Sequence, residues 1–147
     1  MQIKKIMALV LSSVIICLSL STQVYAEDLS PIIEEEIISP YEYAQIVYNS
    51  LNISSGTAEC VSNCIGYSNV VQITVTQTLQ KFWGLWVWND VDTASWSDTS
   101  MSNGIDLSTH KSGLSSGTYR LKSVFELTAS NGKTETITIY SSEKTKN

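Results

Sequence analysis

Histidine, proline and charged side chains are all scarce in this 147-residue sequence. One histidine limits acid–base catalysis and metal binding, and two prolines with seven glycines exclude collagen-like and Pro/Gly-rich chains. Nine basic residues stand against fourteen acidic ones, so the formal charge is −5 and a nucleic-acid partner is not expected. Hydrophobic residues make up 43% of the sequence, which is enough for the core of one domain.

The first 26 residues have the pattern of a secretory signal peptide. Lys4 and Lys5 precede an apolar run over residues 6–20, and the small-x-small sequence Val24-Tyr25-Ala26 forms a cleavage site. As a helix, that run would span about 22 Å, which is short of the roughly 30 Å hydrocarbon core of a bilayer. We therefore predict cleavage after Ala26, secretion, and no stable transmembrane segment after cleavage.

Cys17 offers a different start, as the lipidated residue of a lipoprotein. The bulky Ile16 before it does not suit a lipoprotein signal peptidase, which favours cleavage after Ala26 instead. The chain that begins at Glu27 keeps seven basic and fourteen acidic residues, a formal charge of −7. An anionic cell envelope is therefore expected to repel it.

Three segments are predicted after the signal peptide: an acidic flexible arm at 27–41, a β-sandwich domain at 42–142 and a tail at 143–147. The arm carries three consecutive glutamates between two Ile pairs, with Pro31 and Pro40 as helix breakers. A solvated arm is the main interpretation. The alternative is that one Ile pair docks on a sheet edge or on a partner.

Apolar and polar residues alternate through the β domain, which is the period of β-strands. In the clearest run, Val71, Ile73, Val75 and Leu79 share one face, and only Gln77 interrupts the pattern. Further strands are predicted at 43–49, 56–65, 85–91, 105–109, 119–128 and 136–140. The sequence therefore predicts about seven strands and no helix in this region.

Turn residues separate most of these strands, and Asn131-Gly132 has the sequence of a type I′ hairpin turn with positive φ at both positions. Such a succession predicts an all-β fold, an antiparallel, immunoglobulin-like β-sandwich of about seven strands. One closed up-and-down sheet of eight strands is the alternative. Tyr119, two residues after Gly117, matches the tyrosine corner of these sandwiches, with an ordinary core tyrosine as the competing interpretation.

Five short motifs occur in order along the chain: Ile38-Ser39-Pro40-Tyr41, the octapeptide ISSGTAEC at 53–60, Leu79-Gln80-Lys81, Trp88 and Gly117-Thr118-Tyr119-Arg120. Their order resembles a family of short secreted proteins of unknown function from Gram-positive bacteria. The resemblance spans nearly all of the chain after the signal peptide and implies secretion and a compact β domain. It implies no activity, and Cys64 departs from the small or aliphatic residue expected there.

Cys60 and Cys64 are the cysteines that remain after export, and their even number suggests a disulfide. Four residues along a strand, however, separate their Cα atoms by about 13 Å, beyond the roughly 7 Å that a disulfide spans. Two interpretations stay open: free thiols facing the core, or a bridge across a tight turn at Ser62-Asn63. Two thiols and one distant histidine do not make a zinc site, so no metal or other cofactor is predicted.

Asp106, Ser108 and His110 have the residue types of a catalytic triad. On one strand their side chains stand parallel and roughly 6.5–7 Å apart, which is too far for a proton relay. Asp90 and Asp92 offer carboxylates for a glycosidase or a calcium ion, but so small a domain rarely has a deep cleft, and the loop lacks EF-hand spacing. No catalytic residue is predicted, and the protein is expected not to be an enzyme.

Three of the four tryptophans lie in the run from Phe82 to Trp88. If one alternating strand covers residues 85–91, Leu85 and Val87 face the core, together with Val91, and Trp86 and Trp88 face solvent. An exposed aromatic cluster indicates a binding surface, because soluble monomers rarely expose large apolar patches. The competing interpretation is that Trp86 or Trp88 is the core tryptophan of the sandwich.

The predicted binding residues are Trp83, Trp86, Trp88 and Trp96. The expected function is that of a non-enzymatic β-sandwich binding or interaction module, with a glycan or another cell-surface component as ligand. The alternative is a secreted membrane-active or antagonistic factor, and the third interpretation is a small hydrolase.

Overall fold

The computed structural model describes residues 39–147, and the predicted signal peptide with Ala26 and residues 27–38 of the predicted arm lie outside the described residues. The strands are β1 (Ala44–Ser54), β2 (Thr57–Gly66), β3 (Val70–Gly84), β4 (Val87–Ser100), β5 (Gly104–Lys111), β6 (Gly117–Ala129), β7 (Thr134–Tyr140) and β8 (Lys144–Lys146). Within this range no helix is long and apolar enough to cross a membrane.

The strands form two antiparallel sheets that pack face to face, so the predicted all-β sandwich is confirmed. One sheet has the order β1-β2-β5 and the other the order β4-β3-β6-β7, with β8 pairing with β6. This is an immunoglobulin-like order in which β4 lies beside β3, whereas a constant-type domain places its fourth strand in the opposite sheet. Two separate sheets exclude the alternative of a single closed one.

Ordered structure extends past both ends of the predicted β domain. Tyr41, assigned by the sequence to the arm, packs against the core, and Ser39 Oγ donates a hydrogen bond of 2.6 Å to the carbonyl oxygen of Ala44. In the predicted tail, Lys144–Lys146 pair with the first three residues of β6. These three residues contain no apolar side chain, so hydrophobic alternation could not reveal an eighth strand.

Alternation correctly identifies the inward face of β6, whose buried residues include Tyr119, Leu121, Phe125 and Leu127. On β3 it fails at the first position, because the register with β6 shifts between Val70 and Gln72. The irregularity buries Val70 and exposes Val71, so the prediction that Val71 faces the core is wrong. From Ile73 onward the inward face is the predicted one.

The β6–β7 connection also differs from the predicted type I′ turn. Of the two predicted residues, Gly132 alone has positive φ (81°). Its N–H donates to Ala129 O (2.9 Å), and Ala129 N donates to Lys133 O (2.9 Å). The loop therefore has three residues with a left-handed glycine at its end, a common three-residue hairpin. The Asn-Gly pair identified the hairpin but not the length of its loop.

Gln77 interrupts the apolar face of β3 because it belongs to a buried polar belt between two apolar clusters. Gln77 Nε2 donates to Ser62 Oγ (2.8 Å), and Gln77 Oε1 accepts from Thr109 Oγ1 (2.6 Å). Ser62 Oγ lies 2.7 Å from Ser123 Oγ, which accepts from Asn49 Nδ2 at 2.9 Å. The belt thus joins the two sheets by hydrogen bonds at the level where the apolar packing is interrupted.

Cys60 and Cys64 are both free and buried on the inward face of β2. Ser62 and Asn63 pair with β1 in an unbroken strand, so the interpretation of a bridge across a tight turn is wrong and that of free thiols is confirmed. The two cysteines belong to different apolar clusters. Burial raises the pKa of each thiol to about 11, which keeps both in the unreactive protonated form at neutral pH.

The sandwich has two distinct ends, defined by the pairing of β3 with β6 from Val70–Ala129 to Lys81–Tyr119. The first end holds the β6–β7 turn and the start of β1, where Tyr43 N donates to Glu135 Oε2 at 2.7 Å. The second end holds the β3–β4 hairpin and β8.

Candidate functional site

The end of the β3–β4 hairpin is paired within the hairpin alone. The last pair between β3 and β6 is Lys81–Tyr119, whereas β3 and β4 stay paired as far as Gly84–Val87. Three residues of β3, over a length of about 10 Å, therefore lie past this last pair, while β6 continues to Gly117 and pairs there with β8. This part of the hairpin is two-stranded and has no paired strand on its β6 side.

A two-residue turn, Leu85-Trp86, closes the hairpin. Leu85 has φ 47° and Trp86 has φ 68°, and the preceding Gly84 has φ 111°. Positive φ at both central residues suits the twist of a tight hairpin, but such turns normally use Asn and Gly, because a Cβ is strained there. A leucine and a tryptophan occupy the strained positions here, and they are 93% and 92% exposed.

Trp83 is the third large apolar residue at this end, with 78% of its surface exposed. Phe82 pairs with Trp88 and Gly84 with Val87, so Trp83 is an extra residue on β3 without a partner on β4. An inserted residue of this kind bends the strand and redirects its side chain. We call Trp83, Leu85 and Trp86 the hairpin tip.

The sequence predicted that Leu85, Val87 and Val91 are buried. This prediction is wrong for Leu85 and Val87. Leu85 and Trp86 form the turn rather than a strand, and Val87 is 46% exposed because the projecting hairpin has no opposing sheet. Val91 is partly buried against the core. Alternation requires a continuous strand, and here the strand ends at Gly84. Gly84 was the one sequence signal that could have revealed the turn.

Trp88 lies on the outer face of the sheet, where its own neighbours cover it. Its ring centroid is 5.3 Å from that of Phe82, and the guanidinium carbon of Arg120 lies 4.2 Å from the centre of the Trp88 ring. The same guanidinium lies 4.2 Å from the ring of Tyr140, so Arg120 is held between two aromatic rings. Arg120 Nε also donates to Gln80 Oε1 at 2.9 Å. Trp88 therefore belongs to a stacked row across the sheet.

Trp96 is separated from the hairpin tip. It pairs with the buried Gln77, and side chains of paired residues point to the same side, so Trp96 faces inward and packs against the second apolar cluster. Between Trp88 and Trp96 the register shifts, with five steps from Asp90 to Ser95 on β4 against two on β3. This large bulge explains why the two tryptophans lie on opposite faces. The structure thus brings Trp83 and Trp86 together and places Trp88 and Trp96 elsewhere.

A cavity of about 300 Å³ lies at the foot of the hairpin, beside the β4 bulge. Trp83, Val91 and Leu114 contribute apolar surface, and two lysines and one aspartate contribute charge. Lys81 Nζ donates to Ser115 Oγ (2.7 Å) and Lys111 Nζ to Thr93 Oγ1 (2.6 Å). The carboxylate of Asp90 accepts a hydrogen bond of 2.8 Å from Gln80 Nε2.

Tyr119 anchors the loop that forms one wall of this cavity. It is buried, and its hydroxyl donates to Ser115 O at 2.7 Å, so the predicted tyrosine corner has the expected hydrogen bond to upstream backbone. Lys81 Nζ lies 5.6 Å from the centre of the Tyr119 ring and bonds the same serine. The foot of the hairpin and the β5–β6 loop are therefore fixed to one another.

The three residues with the types of a catalytic triad, Asp106, Ser108 and His110, lie on the outer face of the other sheet. Asp106 and His110 are exposed there and pair with Asn63 and Glu59 of β2. Asp106 Oδ2 accepts a long hydrogen bond of 3.4 Å from Asn63 Nδ2. Within residues 39–147 no cluster of three or more His, Cys, Asp or Glu side chains could hold a metal ion.

The fold and this site together define a β-sandwich with a projecting apolar hairpin. No family model matches the sequence, and no curated protein is similar to it. Two crystal structures of wild-type OgpA from Akkermansia muciniphila, in different crystal forms, are similar in structure at 12% and 14% identity with TM-scores of 0.36 and 0.35. They match 73% and 68% of this chain and 31% and 29% of the other, so this chain spans about a third of their length.

Proposed function

We propose that this protein is a secreted, non-enzymatic binding module that attaches to a cell surface through its hairpin tip. The observation that carries the proposal is the exposure of the three large apolar side chains of the tip at one projecting turn. Covering a side chain of this size is worth about 1.5–3 kcal/mol, and the free protein forgoes that gain three times. A partner that covers the tip recovers part of it.

The strained turn supports the same proposal. Asn and Gly fit positive φ without strain, whereas leucine and tryptophan at these positions cost free energy of folding. Strained backbone and exposed apolar surface therefore coincide at the same two residues, Leu85 and Trp86. Such a combination lowers stability and is typical of functional segments.

The outer-face row around Trp88 is a weaker candidate for the binding surface. A sugar ring stacks on a free aromatic face, but Arg120 occupies one face of Trp88 and Phe82 packs against the ring. Trp96 is partly buried in the sandwich. Of the four predicted binding residues, Trp83 and Trp86 thus have the most surface free for a ligand.

The geometry of Asp106, Ser108 and His110 supports the non-enzymatic part of the proposal. They are every second residue of β5, so their side chains lie on one face of the strand and neighbouring side chains stand roughly 6.5–7 Å apart. A serine nucleophile needs its base within hydrogen-bonding distance. The three residues are therefore better placed as polar surface of a sheet than as a relay.

The test of the proposal is binding of the secreted protein to intact bacterial and eukaryotic cells. The double variant Trp83→Ser/Trp86→Ser removes two exposed side chains of the tip, and the matched control Ile46→Ser/Tyr48→Ser removes two half-exposed apolar side chains from the outer face of the other sheet. We expect the tip variant to lose cell binding with an unchanged unfolding midpoint, and the control to keep it. Equal cell binding by wild type and tip variant would contradict the proposal.

Secretion is tested by N-terminal sequencing of the protein recovered from the medium. Cleavage after Ala26 predicts a chain that starts at Glu27. A lipidated chain starting at Cys17 would contradict this part of the proposal and would replace it with lipid anchoring.

A further inference from the structure

We infer that the partner of the hairpin tip is a lipid bilayer with a zwitterionic surface, into whose interfacial region the tip inserts. This inference rests on the proposed function and names its partner class. It follows from the shape of the hairpin, the gradient of its exposure and the charges at its foot.

The tip is convex and has the reach that an interfacial insertion requires. It extends about 10 Å past the last β3–β6 pair, and segments that lie in the bilayer interface bury their apolar face to a depth of about 5–10 Å. The tip side chains offer only two indole N–H groups as hydrogen-bond donors and no side-chain acceptor. A sugar or a polar protein surface would require more polar partners, whereas acyl chains and the interface require none.

Exposure is greatest at the three residues of the hairpin tip and lower at the residues that flank them, Phe82 and Val87. Leu85 and Trp86 are 93% and 92% exposed, Trp83 is 78% exposed, and Val87 and Phe82 are 46% and 38% exposed. All five are apolar or aromatic, and tryptophan in particular is enriched at membrane interfaces, where its ring is partly apolar and its N–H meets water. The order of exposure is therefore the order in which these side chains would enter the membrane.

The cavity at the foot of the hairpin carries charge of both signs. Lys81, Lys111 and Asp90 line the cavity there, and the exposed Asp92 follows one position after the cavity residue Val91. Two ammonium groups can meet phosphate oxygens, while two carboxylates oppose an excess of anionic lipid. Attachment is therefore driven by apolar burial rather than by net charge, which indicates a zwitterionic surface.

The experiment measures co-flotation of the full secreted protein with phosphatidylcholine vesicles, with and without added phosphatidylglycerol. We expect binding to pure phosphatidylcholine that persists in salt, since the apolar contribution is not screened, and that does not increase when phosphatidylglycerol is added. Leu85→Ser/Trp86→Ser should weaken binding by about tenfold to a hundredfold for each buried side chain removed. The Ile46→Ser/Tyr48→Ser control should bind as wild type does.

A second variant locates the tip within the membrane. Trp83→Phe/Trp86→Phe keeps apolar side chains at both positions but leaves Trp88 and Trp96 as the remaining tryptophans. With vesicles of brominated phosphatidylcholine, we expect strong fluorescence quenching of the wild type and little quenching of this variant, although both float with the vesicles. Equal quenching of the two proteins would place another surface in the bilayer and overturn the inference.

Three further outcomes separate this inference from the proposed function. Tip-dependent binding to cells without flotation on phosphatidylcholine vesicles would contradict a lipid bilayer as the partner. The proposed function would then stand, with a glycan or a protein as the partner. Binding that needs phosphatidylglycerol and is lost in salt would overturn the zwitterionic surface. Loss of both cell binding and flotation in the Ile46→Ser/Tyr48→Ser control, with both retained in the tip variants, would contradict the proposed function itself.

Discussion

Tyr119 joins the β5–β6 loop to the core through hydrogen bonds of its buried hydroxyl. The hydroxyl donates to Ser115 O at 2.7 Å and lies 3.3 Å from Ser115 Oγ, which also accepts from Lys81 Nζ. Because Lys81 is the last residue of β3 paired with β6, the corner also fixes the base of the hairpin. A tyrosine at this position thus serves the site as well as the fold.

Replacing Tyr119 by Phe should lower the free energy of unfolding by about 1–2 kcal/mol, since it removes one buried hydrogen bond and leaves Ser115 O without its donor. The matched control is Tyr48→Phe at a half-exposed position, which should change stability by less than about 0.5 kcal/mol. Urea denaturation of both variants measures the difference. Equal stability of the two variants would reduce the corner to ordinary core packing.

Gln77 shows why a polar residue on an apolar face need not be an error in the pattern. Gln77 lies on β3, and its side-chain amide forms hydrogen bonds with Ser62 and Thr109, which both belong to the opposite sheet. The sequence shows only the interruption of the alternation, because the residues that satisfy Gln77 lie 15 and 32 positions away. Its burial depends on tertiary partners that no local pattern contains.

Gln77→Met keeps the volume of the side chain but leaves the hydroxyls of Ser62 and Thr109 with an unmade hydrogen bond. We expect a loss of about 1–3 kcal/mol in the free energy of unfolding. The exposed Gln45 of β1 provides the control, Gln45→Met, with little effect expected. A Gln77→Met protein as stable as wild type would show that the belt contributes nothing to stability.

The two buried thiols predict how stability changes at high pH. Burial raises their pKa from the ordinary 9.0 to about 11, so above pH 9 the unfolded chain releases the thiol protons before the folded one does. Stability is therefore unaffected below pH 9 and falls as the pH rises to about 11, by at most roughly 1.4 kcal/mol per pH unit for each thiol. Unfolding free energies of wild type and Cys60→Ala/Cys64→Ala, followed across this range, should show a shallower fall in the variant. Parallel curves would contradict the assignment.

At the scale of elements, the two tight turns at the hairpin end of the sandwich form a natural comparison. Ser55-Gly56 joins β1 to β2 with φ 49° and 76°, and Leu85-Trp86 joins β3 to β4 with φ 47° and 68°. The backbone conformations are alike, but only the first turn has a glycine. The difference lies in the side chains that each turn presents.

Leu85→Asn/Trp86→Gly gives the second turn the residues that its backbone favours. We expect the free energy of unfolding to rise by about 1–2 kcal/mol, because strain at two left-handed positions is relieved, while binding to cells and vesicles is lost. Ser55→Asn in the first turn should leave binding intact and stability nearly unchanged. Thermal unfolding measures the stability, and flotation with vesicles measures the binding, of the wild type and the two variants. A variant that gains no stability would show that the wild-type turn is not strained.

β6 and the stretch of β3 from Ile73 to Leu79 were predictable because a continuous pleat keeps alternate residues on one face. β4 was not, since Trp83 is inserted opposite it and a bulge lies between Asp90 and Ser95. Each irregularity changes which residues share a face, so alternation read from Leu85 to Val91 wrongly predicted that Leu85 and Val87 face the core. The sequence predicted that the chain exposes tryptophans. The structure was needed to show that Trp83 and Trp86 lie at the tip, Trp88 on the outer face and Trp96 on the inner face.

For the whole molecule, composition and turn spacing were enough to predict two packed antiparallel sheets. Alternating strands with polar outer residues have few other ways to bury an inner face. The order of the strands within the sheets, and the eighth strand, depend on pairings distant in sequence, such as Leu79 of β3 with Leu121 of β6. A short β8 without apolar residues contributes nothing to a hydrophobic pattern.

The two ends of the sandwich determine how the protein would present an attached group. Ser39 lies near the end that holds Glu135 and the β6–β7 turn, whereas Lys146 pairs with Gly117 at the end that holds the hairpin. The twelve residues of β3 from Val70 to Lys81 make these ends about 36 Å apart. A fluorophore or enzyme joined just ahead of Ser39 would thus be displayed far from the surface that the tip contacts. One joined after Asn147 would lie beside that surface and compete with it for space.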